Sequence, residues 1–354
     1  MKRNKLLLFQ VLLLVSNVLF SQNTLSISNT FELINQYHPI AKQAGLKIDL
    51  SKASLMSTRG AFDPAFYVAN DQKTFDGKNY FFYSNPELKI PTWYGIEIKG
   101  GLENNYGDRL SGENTFGKSS YVGISIPLLK DLIIDKRRSD LAQSKILVNL
   151  TQAERQLVVN DLYLDGASSF WSWTYAYQKQ KLFTEVLDKT KNRLEFIKQS
   201  YQAGDRAAID TVEGVVQYQN ILNLQTQAIA DLIEEQSKLS NFLWDQNELP
   251  YELTESIQPD SSWMIADIDA FAVPTLLSVI EEANQIHPKL KMLAFKSDIL
   301  QIDKLYKTQN LLPTLRVNYN FLNKGYEFTN PLNTALYNNN YKAGLQFGMP
   351  LFLR

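Results

Sequence analysis

The chain has 354 residues with 36 basic and 37 acidic side chains, which gives a formal charge of −1. A balance this close to neutral gives no sign of a nucleic-acid partner. The absence of cysteine excludes disulfides, thiol catalysis and a lipid-bearing cysteine at the mature start.

The first 21 residues predict a signal peptide. Lys2, Arg3 and Lys5 precede an apolar run over residues 6–14, and we expect cleavage after Ser21. That run is too short to span a bilayer, and no other stretch approaches the roughly 20 apolar residues of a membrane helix. Removing residues 1–21 takes away three basic and no acidic residues, which moves the formal charge to about −4.

The sequence repeats itself between its first and last thirds. The pentapeptide at 35–39 returns at 284–288, and both copies end in a His-Pro pair, His38-Pro39 and His287-Pro288. Further prolines follow in the same order, Pro64 and Pro127 in the first copy, and Pro313 and Pro350 in the second. Each copy therefore predicts a helix, a proline, extended segments and a second proline. Landmarks this far apart predict an internal structural duplication and not a short-period solenoid.

This order predicts five segments: a signal peptide at 1–21, a first repeat helix with β-strands at 22–127, a long helical hairpin at 128–246, a linker at 247–275, and a second repeat helix with β-strands at 276–354. A second helical hairpin is expected after Arg354. We therefore expect a fragment limited to residues 22–354 to form no stable conducting assembly.

Four segments alternate between apolar and polar residues, as half-lipid-facing strands do. The membrane crossings of the first copy are predicted at 93–106 and 119–127, and residues 64–90 are expected to form additional extended structure. The second copy alternates over 315–321 and 341–349. The polar positions expected to face a water-filled lumen are Glu97, Lys99, Glu103, Arg316 and Lys342. A soluble sandwich also alternates, so each strand alone is a weak signal.

Two long helices are predicted at 139–202 and 211–243. Leu150, Leu157, Leu164 and Trp171 recur every seven residues, which predicts one seam along a partner helix. Two interpretations remain open for this tract: a solvated antiparallel coiled coil, or a wall of helices packed sideways on its neighbours.

A compact turn joins the two helices. Gly204 is the expected left-handed end of the first helix. Asp210 and Glu213 have the spacing of a capping box for the second helix. A helical hairpin with good caps accounts for these residues completely.

Other candidate sites have simple structural explanations. The two histidines, His38 and His287, occupy equivalent repeat positions, which favours a shared structural role over catalysis or metal binding. Trp171 and Trp173 have helical spacing, which favours packing over a substrate-binding box. We expect no cofactor and no enzymatic activity.

The order of these elements resembles that of TolC-type outer-membrane efflux proteins. The duplicated His-Pro helix starts, the proline-led strands, the exit at Ile126-Pro127-Leu128-Leu129 and the hairpin turn carry the resemblance. It implies an α+β membrane protein in which long coiled-coil hairpins continue from a trimeric 12-stranded barrel, with four strands from each chain. It also implies residence in outer-membrane lipid, with the helical part in the periplasm.

The resemblance further implies a periplasmic adaptor, also called a membrane fusion protein, and an inner-membrane pump as partners. The family's docking tip is a Val-Gly-Leu-like turn, which here reads Ala203-Gly204-Asp205, with Arg206 and Asp210 beside it. The glycine matches and its flanking residues do not. Residues that form the family's gate are expected beyond Arg354.

Two function classes follow from these observations. The first is a passive outer-membrane channel of a tripartite efflux or type I secretion system. The second is a periplasmic coiled-coil adaptor or scaffold without a channel. Fractionation with the outer membrane and heat-modifiable migration on gels would separate the two.

Overall fold

The computed structural model describes residues 24–112, 114–254, 256–262, 275–326, 339–349 and 351. These residues divide into two compact units. The helical unit lies within Met1–Leu46 and Glu154–His287, and the sheet unit lies within Lys47–Ala153 and Pro288–Arg354. The predicted signal peptide at 1–21 lies outside the described residues, as does much of the predicted linker and of the last loop. Within the described part of the chain, no helix combines the length and apolar character that crossing a membrane requires.

The described residues contain six helices: α1 (Ile27–Tyr37), α2 (Pro39–Gly60), α3 (Lys136–Gln202), α4 (Ala208–Ser240), α5 (Leu276–Ile286) and α6 (Pro288–Asn310). The strands found in the same part of the chain are β1 (Thr24–Leu25), β2 (Ala65–Phe75), β3 (Lys78–Pro91), β4 (Glu97–Tyr106), β5 (Gly117–Pro127), β6 (Gln258–Pro259), β7 (Thr314–Lys324) and β8 (Tyr341–Gly348). The five-segment division predicted from the sequence stays a prediction.

The two segments predicted to be repeat copies share one helical arrangement. In each copy an 11-residue helix ends at a histidine C-cap, and the following proline begins the next helix. Proline tolerates the first helical position because its missing N–H would be unpaired there. The residue before a proline is pushed towards extended backbone, which is where His38 (ψ 127°) and His287 (ψ 122°) lie.

The core of the helical unit forms where α1 packs against α3. Val159, Leu162, Gly166, Phe170 and Trp173 are all buried and follow one another at spacings of three and four. A Cβ at Gly166 would lie 2.5 Å from Cδ1 of Ile34. The one glycine of this long helix is therefore where α1 makes its close approach.

The seven-residue seam predicted for this helix is wrong in the helical unit. Leu150 is buried, but Leu164 is 71% exposed and Trp171 is 40% exposed. The buried residues Val159, Gly166 and Trp173 also recur every seven residues, but each lies two positions after a predicted seam position. The seven-residue spacing is therefore present in a different register.

The helices α3 and α4 form the predicted hairpin within the helical unit. A Cβ at Gly214 would lie 3.1 Å from Leu194, so α4 lies close to α3 there. Farther along, Lys179 and Asp231 form an ion pair of 2.8 Å. Several apolar side chains of α4 remain exposed: Val212, Val216, Leu222, Leu224, Ile229 and Ile233. Apolar side chains left exposed on a helix favour the interpretation of a wall of helices that packs sideways.

The sheet unit contains one antiparallel sheet of six strands in the order β2-β3-β4-β5-β7-β8. The strands predicted around 119–127, 315–321 and 341–349 are present. The strand predicted from residue 93 begins instead at Glu97, because Gly95 (φ +82°) forms a turn in which Thr92 N–H donates to Ile96 O at 2.9 Å.

The sheet has two more strands than the four crossings that we predicted from the sequence. Residues 64–90 are extended, as expected, but they form a β2–β3 hairpin inside the same sheet. A two-residue turn at Asp76 and Gly77, both with positive φ, joins β2 to β3. Backbone of this kind matches the twist of a tight hairpin.

Candidate functional site: the two sheet faces and the helical turn

The five positions expected to face a lumen lie on one face of the sheet. Glu97, Lys99 and Glu103 occupy alternate positions of β4, and successive strand residues point to opposite faces. Glu97 opposes Ser125, which opposes Asn318, two residues from Arg316. Lys99 opposes Gly123, which opposes Asn320, the partner of Lys342. The register therefore brings all five charged side chains to a single polar face.

The end of this polar face where β4 begins carries a network of charged side chains. Arg137 lies 3.1 Å from Glu97, and Arg316 lies 3.9 Å from both Glu97 and Asp131. Asp135 lies 3.6 Å from Arg137. Glu97 thus accepts a hydrogen bond from Arg137 of α3 and forms a longer ion pair with Arg316 of β7. Isolated surface ion pairs contribute about 0–1 kcal/mol, but shared partners fix the geometry of the whole group.

Asp135 and Arg138 hold the junction between β5 and α3. Asp135 accepts the backbone N–H of Arg138 at 2.8 Å, as an N-cap residue does. The Arg138 guanidinium donates to the carbonyl oxygens of Leu132 and Ile133 at 3.2 and 3.0 Å. We did not identify this group from the sequence, although the basic run 136–138 directly after the predicted strand exit was a usable signal.

The opposite face of the sheet is apolar and open. The exposed fraction of the residue is 40% for Ile98 and 39% for Ile124, and it rises to 70% for Leu345 and 66% for Phe347. All four lie on the face opposite the charged row, since the register pairs Ile98 with Ile124 and Phe347 with Leu315. A sheet in water buries such a face against a second layer. This sheet exposes it.

The turn between α3 and α4 has the geometry expected of a glycine stop. Gly204 has φ +85°, the N–H of Asp205 donates to Ser200 O at 2.9 Å, and the N–H of Gly204 donates to Tyr201 O at 3.0 Å. These two bonds define a Schellman motif with Gly204 at the position that follows the cap. Residues Ala203 to Arg206 are all exposed, and a Cβ at Gly204 would meet open space.

The predicted capping box at Asp210 is wrong. Helix α4 begins at Ala208 with Ala207 as its N-cap, which has no side-chain cap bond. Asp210 lies in the first helical turn, where a carboxylate is favoured by the positive end of the helix dipole. Its carboxylate lies 3.7 Å from the Arg206 guanidinium. The turn is therefore shaped by backbone geometry, and its charged pair lies on the surface.

Each histidine donates its backbone N–H to its own helix, to Ile34 O at 3.2 Å and to Ala283 O at 2.9 Å. The Nδ1 of His38 also accepts the N–H of Ile40 at 3.2 Å. Burial lowers the pKa of His38 below its usual value of 6.5, since charge is costly away from water. In the described part of the chain, no group of three or more His, Cys, Asp or Glu side chains could hold a metal ion.

Solved outer-membrane channels resemble this fold. The CmeC outer membrane channel of Campylobacter jejuni gives a TM-score of 0.54 at 13% identity, covering 92% of this chain and 61% of CmeC. The outer membrane protein VceC of Vibrio cholerae gives a TM-score of 0.52 at 10% identity, covering 92% of this chain and 69% of VceC. The open MtrE outer membrane channel of Neisseria gonorrhoeae gives a TM-score of 0.51 at 13% identity, covering 92% of this chain and 63% of MtrE.

The chain spans less than two thirds of the length of CmeC and of MtrE. No family model and no curated protein matches its sequence. At identities this low the likeness establishes the fold alone. The resemblance drawn from the sequence is confirmed at that level: the described residues have the fold of TolC-type outer-membrane channels.

Proposed function

We propose that this chain is the outer-membrane channel component of an export system. The observation that carries the proposal is the sheet with one charged face and one open apolar face. Lipid would cover the apolar face, and the charged face would line a water-filled lumen. The channel is passive, because the sequence contains no Gly-rich phosphate loop, and a partner supplies the energy.

The sheet also predicts assembly. A bilayer accepts β-structure only as a closed barrel, because an unpaired edge leaves backbone groups without hydrogen bonds. One copy of this sheet ends in two edges, at β2 and β8. We therefore propose a homotrimer in the outer membrane, in which the sheets of three copies together close one barrel. The helical part would extend into the periplasm.

The exposed turn at Ala203–Arg206 is the proposed docking point for a periplasmic adaptor, which connects the channel to an inner-membrane pump. Gly204 permits close backbone approach, and Asp205 and Arg206 offer charge beside it. The solved structures with this fold are described as outer membrane channels, which supports a channel over an adaptor or scaffold. The open apolar face also argues against a soluble scaffold, which would expose it to water.

The channel itself is tested by fractionation and electrical recording of the full-length protein. We expect it in the outer-membrane fraction, migrating as a trimer that dissociates on heating, and we expect discrete conductance steps in planar bilayers. Recovery as a soluble periplasmic protein without conductance would favour the scaffold instead.

Docking is tested separately, with two substitutions at one position. Gly204→Trp should leave the trimer and the barrel intact but abolish export, because the bulky side chain obstructs the turn. Gly204→Asn should retain the fold and most of the export, since asparagine tolerates positive φ. Crosslinking from position 205 to the adaptor in cells reports contact directly. Normal export by Gly204→Trp, or crosslinks found only at distant positions, would remove the turn from the docking surface.

A further inference from the structure

The β2–β3 hairpin is built into the sheet and not merely attached to it. Strand β3 pairs with β4 at eight positions, from Phe82↔Tyr106 to Pro91↔Glu97. This occupies the edge of β4 that a four-stranded contribution would leave for a neighbouring copy. The contacts that hold β3 against β4 therefore decide how many strands each copy contributes to a barrel.

Side chains on the polar face connect β3 to a strand two positions away. The Tyr121 hydroxyl of β5 donates to the Glu87 carboxylate of β3. Its ring crosses β4 at Gly101, where a Cβ would lie 2.7 Å from the ring. Lys89 adds an ion pair of 3.0 Å with Glu87. Because residue 101 is glycine, the Tyr121 side chain can pass over β4 and connect β5 to β3.

The loop above β4 is also shaped around β3. Gly107 has φ +136°, and a Cβ there would lie 2.6 Å from the carbonyl oxygen of Tyr80. Next to it, Asp108 N–H donates to Asn79 O at 3.2 Å, and Arg109 N–H donates to Tyr80 O at 2.9 Å. Backbone approach this close needs a residue without a side chain. A second glycine thus fits the sheet to this hairpin.

The apolar face continues across β3 in register. Leu88 opposes Gly100 and Ile90 opposes Ile98, so both lie on the open apolar face. Towards the other end of the strand, the rings of Phe82 and Tyr106 stack with centroids 4.6 Å apart. Aromatic side chains near the ends of membrane strands suit the interface between lipid and water. Strand β3 therefore has the same two faces as the rest of the sheet.

Strand directions allow the two edges to meet. Every neighbouring pair in the sheet is antiparallel, so β2 runs opposite to β8 across the six strands. A β8 edge placed against the β2 edge of a second copy would continue the same antiparallel pattern. The β4 edge offers no such place while β3 occupies it.

Resting on the proposed trimer, we propose that each copy contributes all six strands and that β2 of one copy pairs with β8 of the next. Three six-stranded sheets then close an eighteen-stranded barrel. Barrel diameter grows roughly linearly with strand number, so the lumen would be about one and a half times as wide as that of twelve strands. The interface between copies is this β2–β8 seam.

The chain contains no cysteine, so paired cysteines report the seam without background. In the full-length protein, one cysteine replaces a polar-face residue of β2 (Tyr67, Ala69 or Asp71) and one replaces a polar-face residue of β8 (Lys342, Gly344 or Gln346). All combinations are tested, because the register between copies is set by closure. The competing set combines the same β8 positions with Glu97→Cys, Lys99→Cys or Glu103→Cys in β4.

Oxidised outer membranes are then run on non-reducing gels. We expect covalent dimers and trimers for at least one β2–β8 combination, reversed by reductant, and none for the β4–β8 set. Ser125→Cys with Asn318→Cys, opposed residues of one copy, is the oxidation control and should lose maleimide labelling without a crosslink between copies.

Crosslinks in the β4–β8 set would overturn the proposal, since they require the hairpin to leave the sheet. A heat-sensitive trimer without crosslinks in either set would also overturn it and would leave the channel proposal standing. Failure of the channel proposal looks different: the protein would not form a trimer in the outer-membrane fraction at all.

Discussion

The helical unit and the sheet unit treat large apolar side chains in opposite ways. In the helical unit, Phe170, Trp173, Leu239 and Leu243 are each at most 1% exposed and form one cluster. In the sheet unit, the apolar row that includes Ile98 and Phe347 is open. The first unit buries this cluster within one chain, as a protein in water does, although apolar side chains of α4 stay exposed. The second requires an apolar solvent or another copy to do so.

The largest expected effect tests the helical core. Trp173→Ala should destabilise the helical unit by roughly 3–5 kcal/mol, because it empties a fully enclosed site. Limited proteolysis of the assembled protein, with urea as denaturant, measures the loss. No partner for Trp173 Nε1 lies among the described residues, so Trp173→Phe, which keeps an aromatic ring there, should cost much less. Equal losses for the two variants would contradict the packing role.

The next effect tests the open face of the sheet. Ile98→Arg should impair outer-membrane assembly, since a lipid-facing arginine near the bilayer midplane costs about 2–4 kcal/mol. Lys99→Glu, one residue along and on the polar face, should assemble normally and shift only the ion preference of the channel. Heat-modifiable trimer yield and bilayer recordings measure the two outcomes. Equal assembly defects would show that the assigned faces are wrong.

A smaller effect tests the contact between β3 and β5. Tyr121→Phe removes the hydroxyl that donates to Glu87 and should cost about 1.5–3 kcal/mol, as hydrogen bonds to charged groups do. Tyr319→Phe, on the apolar face of β7, is the matched control. The temperature at which the trimer dissociates on gels reports the difference. The same dissociation temperature for both variants would count against the contact.

The smallest expected effect is a pH dependence in the helical unit. The folded pKa of His38 lies below its unfolded value of 6.5, so the unfolded chain binds the proton more readily. Stability should therefore be highest above pH 6.5 and should fall as the pH drops below that value. His38→Gln should flatten this part of the stability profile, and His287→Gln, at the exposed repeat position, is the control. A profile that His38→Gln leaves unchanged would contradict the assignment.

The alternation of strand residues could be read from sequence because its period of two is imposed by the backbone itself. Ile98 and Lys99 lie on the faces assigned to them for that reason. The role of Gly204 could also be predicted from the sequence, because positive φ at a helix end strongly favours glycine. These are local rules, and the structure follows them.

Features that depend on contacts between distant segments were not predicted. Pro86 and the aromatic run at 80–83 interrupt the alternation of residues 65–91, so the sequence alone does not show that this hairpin joins the sheet. The role of Gly101 depends on Tyr121 in the next strand and Glu87 in the previous one. The buried row of α3 includes Gly166 because Ile34, far away in sequence, packs there.

The pairing of β5 with β7 has a consequence for the order of folding. Strands β2 to β5 follow one another along the chain, so each of their pairings closes a short loop. The next pairing joins Pro127 to Arg316 and Ser119 to Lys324, on either side of both long helices. Non-local pairings form slowly, because the entropy of the intervening chain must be lost first. The chain should therefore pass through a state in which a four-stranded meander is complete while β7 and β8 are still unpaired.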